Sequence, residues 1–180
     1  FIEISNIGNK NYLTDILNGS YKDLKDNVGF YDPSTYADIL AEKLQTSKNK
    51  ILQVNWEENR FIKCIYNDAE VFIKNIYKEL PILIFSTGDE KFQNKKLKTI
   101  KKYIKNKNIY IYKNKVTKFK SLVNKLKNKK IFIIDDSPEV INKVKEINKN
   151  VIAILIKRSS YNKNYNYSQT INADYKVKNL

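Results

Sequence analysis

Ile131-Phe132-Ile133-Ile134-Asp135-Asp136-Ser137-Pro138-Glu139-Val140-Ile141 is the stretch on which the reading of this chain turns. Four consecutive apolar residues, three of them β-branched, are too few for a buried helix and suit a strand buried on both faces of a parallel sheet. Two carboxylates follow at once. Ser137 is placed to cap the next helix and Pro138 fits its first turn, while Val140, Ile141, Val144 and Ile147 recur at helical spacing. The order is strand, acidic turn, helix. In open α/β sheets, ligands sit in the crevice at the carboxyl ends of the strands, where Asp135 and Asp136 would stand. Two adjacent carboxylates repel each other unless a cation joins them, and hard oxygen ligands suit Mg²⁺.

Working towards the N-terminus, the chain repeats this texture. Ile82-Leu83-Ile84-Phe85 reads as a buried strand and Ser86-Thr87-Gly88 as a tight turn. Phe92, Lys96, Leu97, Ile100, Tyr103 and Ile104 then form the inward stripe of a helix. Ile109-Tyr110-Ile111-Tyr112 is the next strand, with Lys115 in the loop beyond it and an amphipathic helix through Val116, Phe119, Leu122, Val123 and Leu126. After the acidic helix come a strand over 151–156 and a short edge over 173–177. Strands starting near 82, 109, 131 and 151 are spaced for helical crossovers, so one parallel sheet is expected. Its carboxyl ends would bring Ser86, Lys115, Asp135 and Asp136 to one crevice, where a hydroxyl, backbone N–H groups at a helix N-terminus, an ammonium and paired carboxylates make a phosphoryl site.

Residues before 70 differ. Residues 1–18 fit either a short strand, Phe1-Ile2-Glu3-Ile4-Ser5, or an irregular helix. Asn18-Gly19 signals a turn, and Tyr21 to Val28 a helix. Asp32-Pro33 offers an N-cap followed by proline for a helix reaching Leu44. Residues 45–50 read as a polar linker. Residues 51–80 look helical, with a break at Asn67-Asp68.

Composition narrows the chemistry. With 34 Lys and Arg against 19 Asp and Glu, the formal charge of the 180 residues is +15, which suits a polyanionic partner. The excess is nearly all Lys, spread along the chain among Asn, Ile and Tyr. Arg occurs only at positions 60 and 158, and bidentate recognition of bases favours Arg, so nucleic-acid reading is not the favoured function. One cysteine, Cys64, and no histidine exclude an internal disulfide, a Cys/His zinc site, a Ser-His-Asp triad and a Cys-His dyad. No run approaches the ~18 apolar residues of a membrane span and no signal peptide is visible, so a cytoplasmic protein is expected.

The segment from about 68 to 180 resembles the haloacid dehalogenase (HAD) superfamily of hydrolases. Residues 82–89, with Phe92-Gln93 and Lys96-Leu97, look like its second motif, Lys115-Val116-Thr117 like its third, and Phe132-Ile133-Ile134-Asp135-Asp136-Ser137-Pro138-Glu139 like its fourth. Ala173-Asp174-Tyr175 looks like the approach to the last strand. The resemblance implies an α/β fold, a Rossmann-like parallel sheet flanked by helices over 71–180, with residues 1–70 as a helical cap module. It implies a Mg²⁺-dependent phosphatase acting on a small phosphorylated substrate through an aspartyl-phosphate. Ser86 and Lys115 would be catalytic, Ser86, Thr87, Gly88 and Lys115 would bind phosphate, and Asp135 and Asp136 would hold the metal.

The family's first motif, Asp-x-Asp, occurs nowhere in the sequence. Glu3-Ile4-Ser5 reads as a degenerate relic of it, or the motif lay upstream of Phe1; the second is favoured, because only two residues precede Glu3 and a core strand usually needs ~5. A relic would lie as a central strand between the strands at 82 and 131; a loss would leave that slot empty or filled by foreign chain. Either way the chain as given is expected to lack the nucleophile. The alternative is a non-catalytic HAD-like module that binds nucleic acid or protein. Receiver domains of two-component regulators also place an acidic pair after a strand, but residues 136–180 are too few for the units that would have to follow.

Overall fold

A computed structural model describes residues 10–57, 61, 64–126, 129–158, 167 and 172–180. Phe1, Glu3 and Ser5 lie outside them, and so does the choice between relic and loss. The chain divides into two compact units, residues 1–66 with 76–114, and residues 67–75 with 115–180.

In the first unit, α1 (Lys10–Val28), α2 (Pro33–Lys43) and α3 (Lys48–Trp56) pack in sequence. Ala37, Leu40 and Ile51 are buried at their centre, with Ile16, Tyr36 and Leu52 against them. α1 runs through Asn18-Gly19 without the expected turn. Ile16, Ser20 and Leu24 keep one inward face at helical spacing, and the tertiary contact they make outweighs the ~1 kcal/mol that an interior glycine costs. α2 starts as its sequence predicts: Pro33 is its first residue and the Asp32 carboxylate accepts the Thr35 N–H at 2.7 Å. The 45–50 linker is shorter than expected, because Ser47 caps α3 by accepting the Lys50 N–H at 3.4 Å.

The same unit holds β1 (Ile84–Thr87) and β2 (Ile109–Tyr112), paired in parallel with Ser86 opposite Ile111 and Thr87 opposite Tyr112. Between them, α5 (Glu90–Lys96), numbered after α4 (Asn67–Ile76), is only two turns long. The expected helix to Ile104 breaks up after Lys96 into tight i→i+3 turns, in which Leu97, Ile100 and Ile104 are still buried. An aromatic cluster joins the helices to α5: the Phe92 ring lies 4.9 Å from Tyr31, 5.3 Å from Phe61 and 5.9 Å from Trp56. Lys95 donates to the Trp56 carbonyl at 3.3 Å, with its ammonium over both the Trp56 and Phe61 rings.

The second unit contains most of α4, then α6 (Lys115–Lys125), β3 (Phe132–Asp135), α7 (Pro138–Ile147), β4 (Ile152–Ile156) and β5 (Tyr175–Val177). The three strands are parallel in the order β3-β4-β5. α7 covers the face bearing Ile133, Ala153 and Leu155, and Ile141 is fully buried among them. Truncating Ile141 to Ala would cost about 2–5 kcal/mol. At the amino ends of the strands, the Lys145 ammonium donates to the Val151 carbonyl at 2.9 Å and to both oxygens of Asp174, while Asp174 accepts the Ala153 N–H at 2.7 Å. These bonds tie α7, β4 and the approach to β5 together. Asp68 on α4 meets Arg158 at 2.8 Å and accepts the Leu180 N–H at 2.9 Å.

Three further expectations are corrected. The strands hydrogen-bond as two parallel sheets, β1-β2 and β3-β4-β5, where one ladder was expected; among the described residues β1 pairs only with β2, and β3 only with β4. β3 is not buried on both faces: Phe132 is 52% exposed and Ile134 half-buried, since α7 covers the opposite face. Lys115 is not in a loop but is the first residue of α6. Among the described residues no helix is long and apolar enough to cross a membrane.

Candidate functional site

β3 places Asp135 as its last residue, on the face that carries Ile133 and Leu155. The next turn is set by Ser137, whose hydroxyl caps α7 by accepting the Val140 N–H at 3.4 Å and whose own N–H donates to Asp135 Oδ1 at 3.0 Å. The second carboxylate oxygen, Oδ2, accepts the ammonium of Lys115. Both partners are nearly enclosed, with side chains 16% and 10% exposed for Lys115 and Asp135. A cation in the first turn of a helix opposes the helix dipole, so the first position of α6 is an unfavourable place for Lys115 unless an anion faces it. Asp135 is that anion.

Burial pushes the Asp135 carboxyl above the ordinary carboxylate range, against the pull of the Lys115 charge and the Ser137 N–H; repulsion from Asp136 adds to the rise. A bound cation would relieve that strain. Among the described residues no group of three or more metal-ligating side chains gathers. Adjacent carboxylates are the donor type that Mg²⁺ takes, one or two of them with water and phosphate oxygens completing its octahedron.

Ser86, Thr87 and Gly88 stand in the other unit, at the carboxyl end of β1. As neighbours in a strand, the two side chains project to opposite faces, Thr87 with Phe85 and Tyr112, and Ser86 with Ile84 and Ile111. Neither hydroxyl makes a hydrogen bond to a described residue. The backbone beyond them is occupied. Gly88 donates its N–H to the Tyr112 carbonyl at 3.0 Å, and Asp89 donates its N–H to the Tyr31 carbonyl at 3.3 Å. The start of α5 is capped by Asp89, whose carboxylate accepts the Phe92 N–H at 2.8 Å. The amides of Gly88 and Asp89 are thus already engaged, which leaves the two hydroxyls as the side-chain donors of this turn.

Gln93 completes the turn and was not singled out as a site residue. It is 8% exposed, and its Nε2 donates to the Thr87 carbonyl at 2.9 Å. The sequence marks it only as part of the Phe92-Gln93 pair after the second-motif stretch; that it is buried shows once the helix register is known.

Neither a protein-family model nor a curated protein matches the sequence. Among solved structures, the fold matches the crystal structure of a protein from Burkholderia xenovorans LB400, described as a haloacid dehalogenase-like hydrolase, with a TM-score of 0.75 over 98% of this chain and 83% of its own, at 14% identity. The chain shares the α/β fold of that protein. Within that fold, the acidic turn after β3 and the lysine that opens α6 stand together as a contact pair, and the Ser86 turn is separately built by its own unit.

Proposed function

We propose that this chain carries the phosphoryl-handling part of a Mg²⁺-dependent phosphatase acting on a small phosphate monoester. The observation that carries the reading is the contact between Lys115 and Asp135 at the carboxyl end of β3, with Asp136 next in the chain. Asp135 and Asp136 would hold Mg²⁺. The ion would neutralise charge developing on the phosphoryl oxygens. Lys115, held by Asp135, keeps an ammonium in a nearly enclosed place where it counts for more than in water. The Ser86 hydroxyl donates to a phosphoryl oxygen at the end of β1. The helices α1 to α3 act as the cap, resting on α5 through Tyr31, Trp56 and Phe61, and set substrate choice. A cytoplasmic location belongs to the same reading.

The nucleophile is the missing part. No Asp-x-Asp occurs in the sequence, and Ser86, Lys115, Asp135 and Asp136 hold or neutralise rather than attack phosphorus. Such a phosphatase needs an aspartate nucleophile to form the aspartyl-phosphate, and without one the chain as given is expected to hydrolyse monoesters poorly. The test is p-nitrophenyl phosphate turnover, with and without Mg²⁺, by this chain and by a version extended with a strand that carries Asp-x-Asp. Turnover should appear only in the extended protein and require Mg²⁺. Robust Mg²⁺-dependent turnover by the unextended chain, abolished by Glu3→Gln, would make Glu3 the nucleophile. The formal charge of +15 favours a second reading, a non-catalytic module binding nucleic acid or protein. Mg²⁺-independent, salt-sensitive binding of a random oligonucleotide, with no binding of phosphate, would select it.

A further inference from the structure

We propose that Gln93 is a positioning residue, which locks the peptide between Thr87 and Gly88 so that the Ser86 hydroxyl is presented to an anion in one orientation. The proposal rests on the phosphoryl-site reading and gives a role to a residue for which the motif resemblance implied none.

The Thr87–Gly88 peptide is held at both ends. Its carbonyl accepts the Gln93 Nε2 at 2.9 Å, and its N–H donates to the Tyr112 carbonyl at 3.0 Å. Gly88 has φ +141°, a conformation open to glycine and strained for other residues. A strand end followed by glycine has little intrinsic resistance to a peptide flip, because glycine adopts either sign of φ almost equally. The side chain of Gln93 removes that freedom in two ways. It supplies the donor that the Thr87 carbonyl needs, and it closes over Gly88 so tightly that a Cβ there would sit 2.6 Å from Nε2. Gln93 is itself fixed, being buried on α5, whose first turn is capped by Asp89.

Ser86 lies one residue before this peptide, so its direction depends on how the strand ends. If the Thr87 carbonyl loses its donor, flipped and unflipped turns compete, and anion affinity falls in proportion to the fraction still correctly set. A lost hydrogen bond of ordinary strength corresponds to about tenfold.

The experiment compares the wild-type chain with Gln93→Met, which keeps side-chain length and removes the donor. Inorganic phosphate is titrated calorimetrically in the presence of Mg²⁺, Mg²⁺ is titrated alone, and exchange of the Gly88 amide hydrogen is followed by NMR. Phosphate binding should weaken about tenfold, Mg²⁺ binding should stay the same, and Gly88 exchange should accelerate. A residue with a merely structural role would move both affinities together or neither. Unchanged phosphate affinity in a folded Gln93→Met variant overturns the proposal and leaves the phosphoryl site standing. If wild type binds no phosphate, the phosphoryl reading fails, and the positioning claim is decided by Gly88 exchange: acceleration keeps the lock, unchanged exchange overturns it. If the Met variant does not fold, Gln93→Asn, one methylene too short to reach Thr87, takes its place with the same expected results.

Discussion

Lys115, the first residue of α6, donates its ammonium to Asp135, the last residue of β3, twenty residues further along the chain. Each is poorly placed without the other: the lysine faces the positive end of its own helix, and the carboxylate is buried beside a second carboxylate. Replacing Lys115 with Met would therefore leave Asp135 uncompensated. Stability in urea should fall by about 3 kcal/mol, and saturating Mg²⁺ should restore part of the loss in the variant while adding less to wild type. A variant as stable as wild type without Mg²⁺ would show that the pair is not what holds the turn.

Gly88 should tolerate no side chain. Gly88→Ala puts a methyl group 2.6 Å from Gln93 Nε2 at a φ of +141°, so both the clash and the strained backbone count against it. A loss on the order of 1–3 kcal/mol in the thermal or urea midpoint is expected. Neutral behaviour would mean that the turn relaxes freely and is not preorganised.

Acid should weaken the second unit through Asp174. The Ala153 N–H and then the Lys145 ammonium hold this carboxyl below its ordinary range. Because the folded-state value is the lower one, the stabilisation is fully present above the ordinary carboxyl range, about pH 4, and is lost as pH falls through the folded-state value. Asp174→Asn should lower stability at neutral pH and flatten the decline below about pH 4. An acid limb identical to wild type would place the pH dependence elsewhere.

The strands were legible because short runs such as Ile109-Tyr110-Ile111-Tyr112 cannot be buried helices, and the starts of α2 and α7 because Asp32-Pro33 and Ser137-Pro138 carry both a cap and a proline. Local sequence could not show that Asn18-Gly19 sits inside α1, since the decision lies in the burial of Ser20 and Leu24. Nor could it show the break in the 82–156 ladder, because pairing depends on neighbours distant in the chain. At the site, Asp135 and Lys115 were legible as residue types placed after strands. The role of Gln93 was not, because it arises from a turn and a helix register that no motif records.

The most direct test of the central claim is a calorimetric Mg²⁺ titration of the wild-type chain and of the double variant Asp135→Asn/Asp136→Asn, with circular dichroism confirming that both are folded. Neutralising both carboxylates removes the charge that offsets dehydration of the ion. Wild type should bind Mg²⁺ and the double variant should give no binding heat. Absence of binding by wild type, or equal binding by both, would contradict a metal-assisted phosphoryl site at the end of β3.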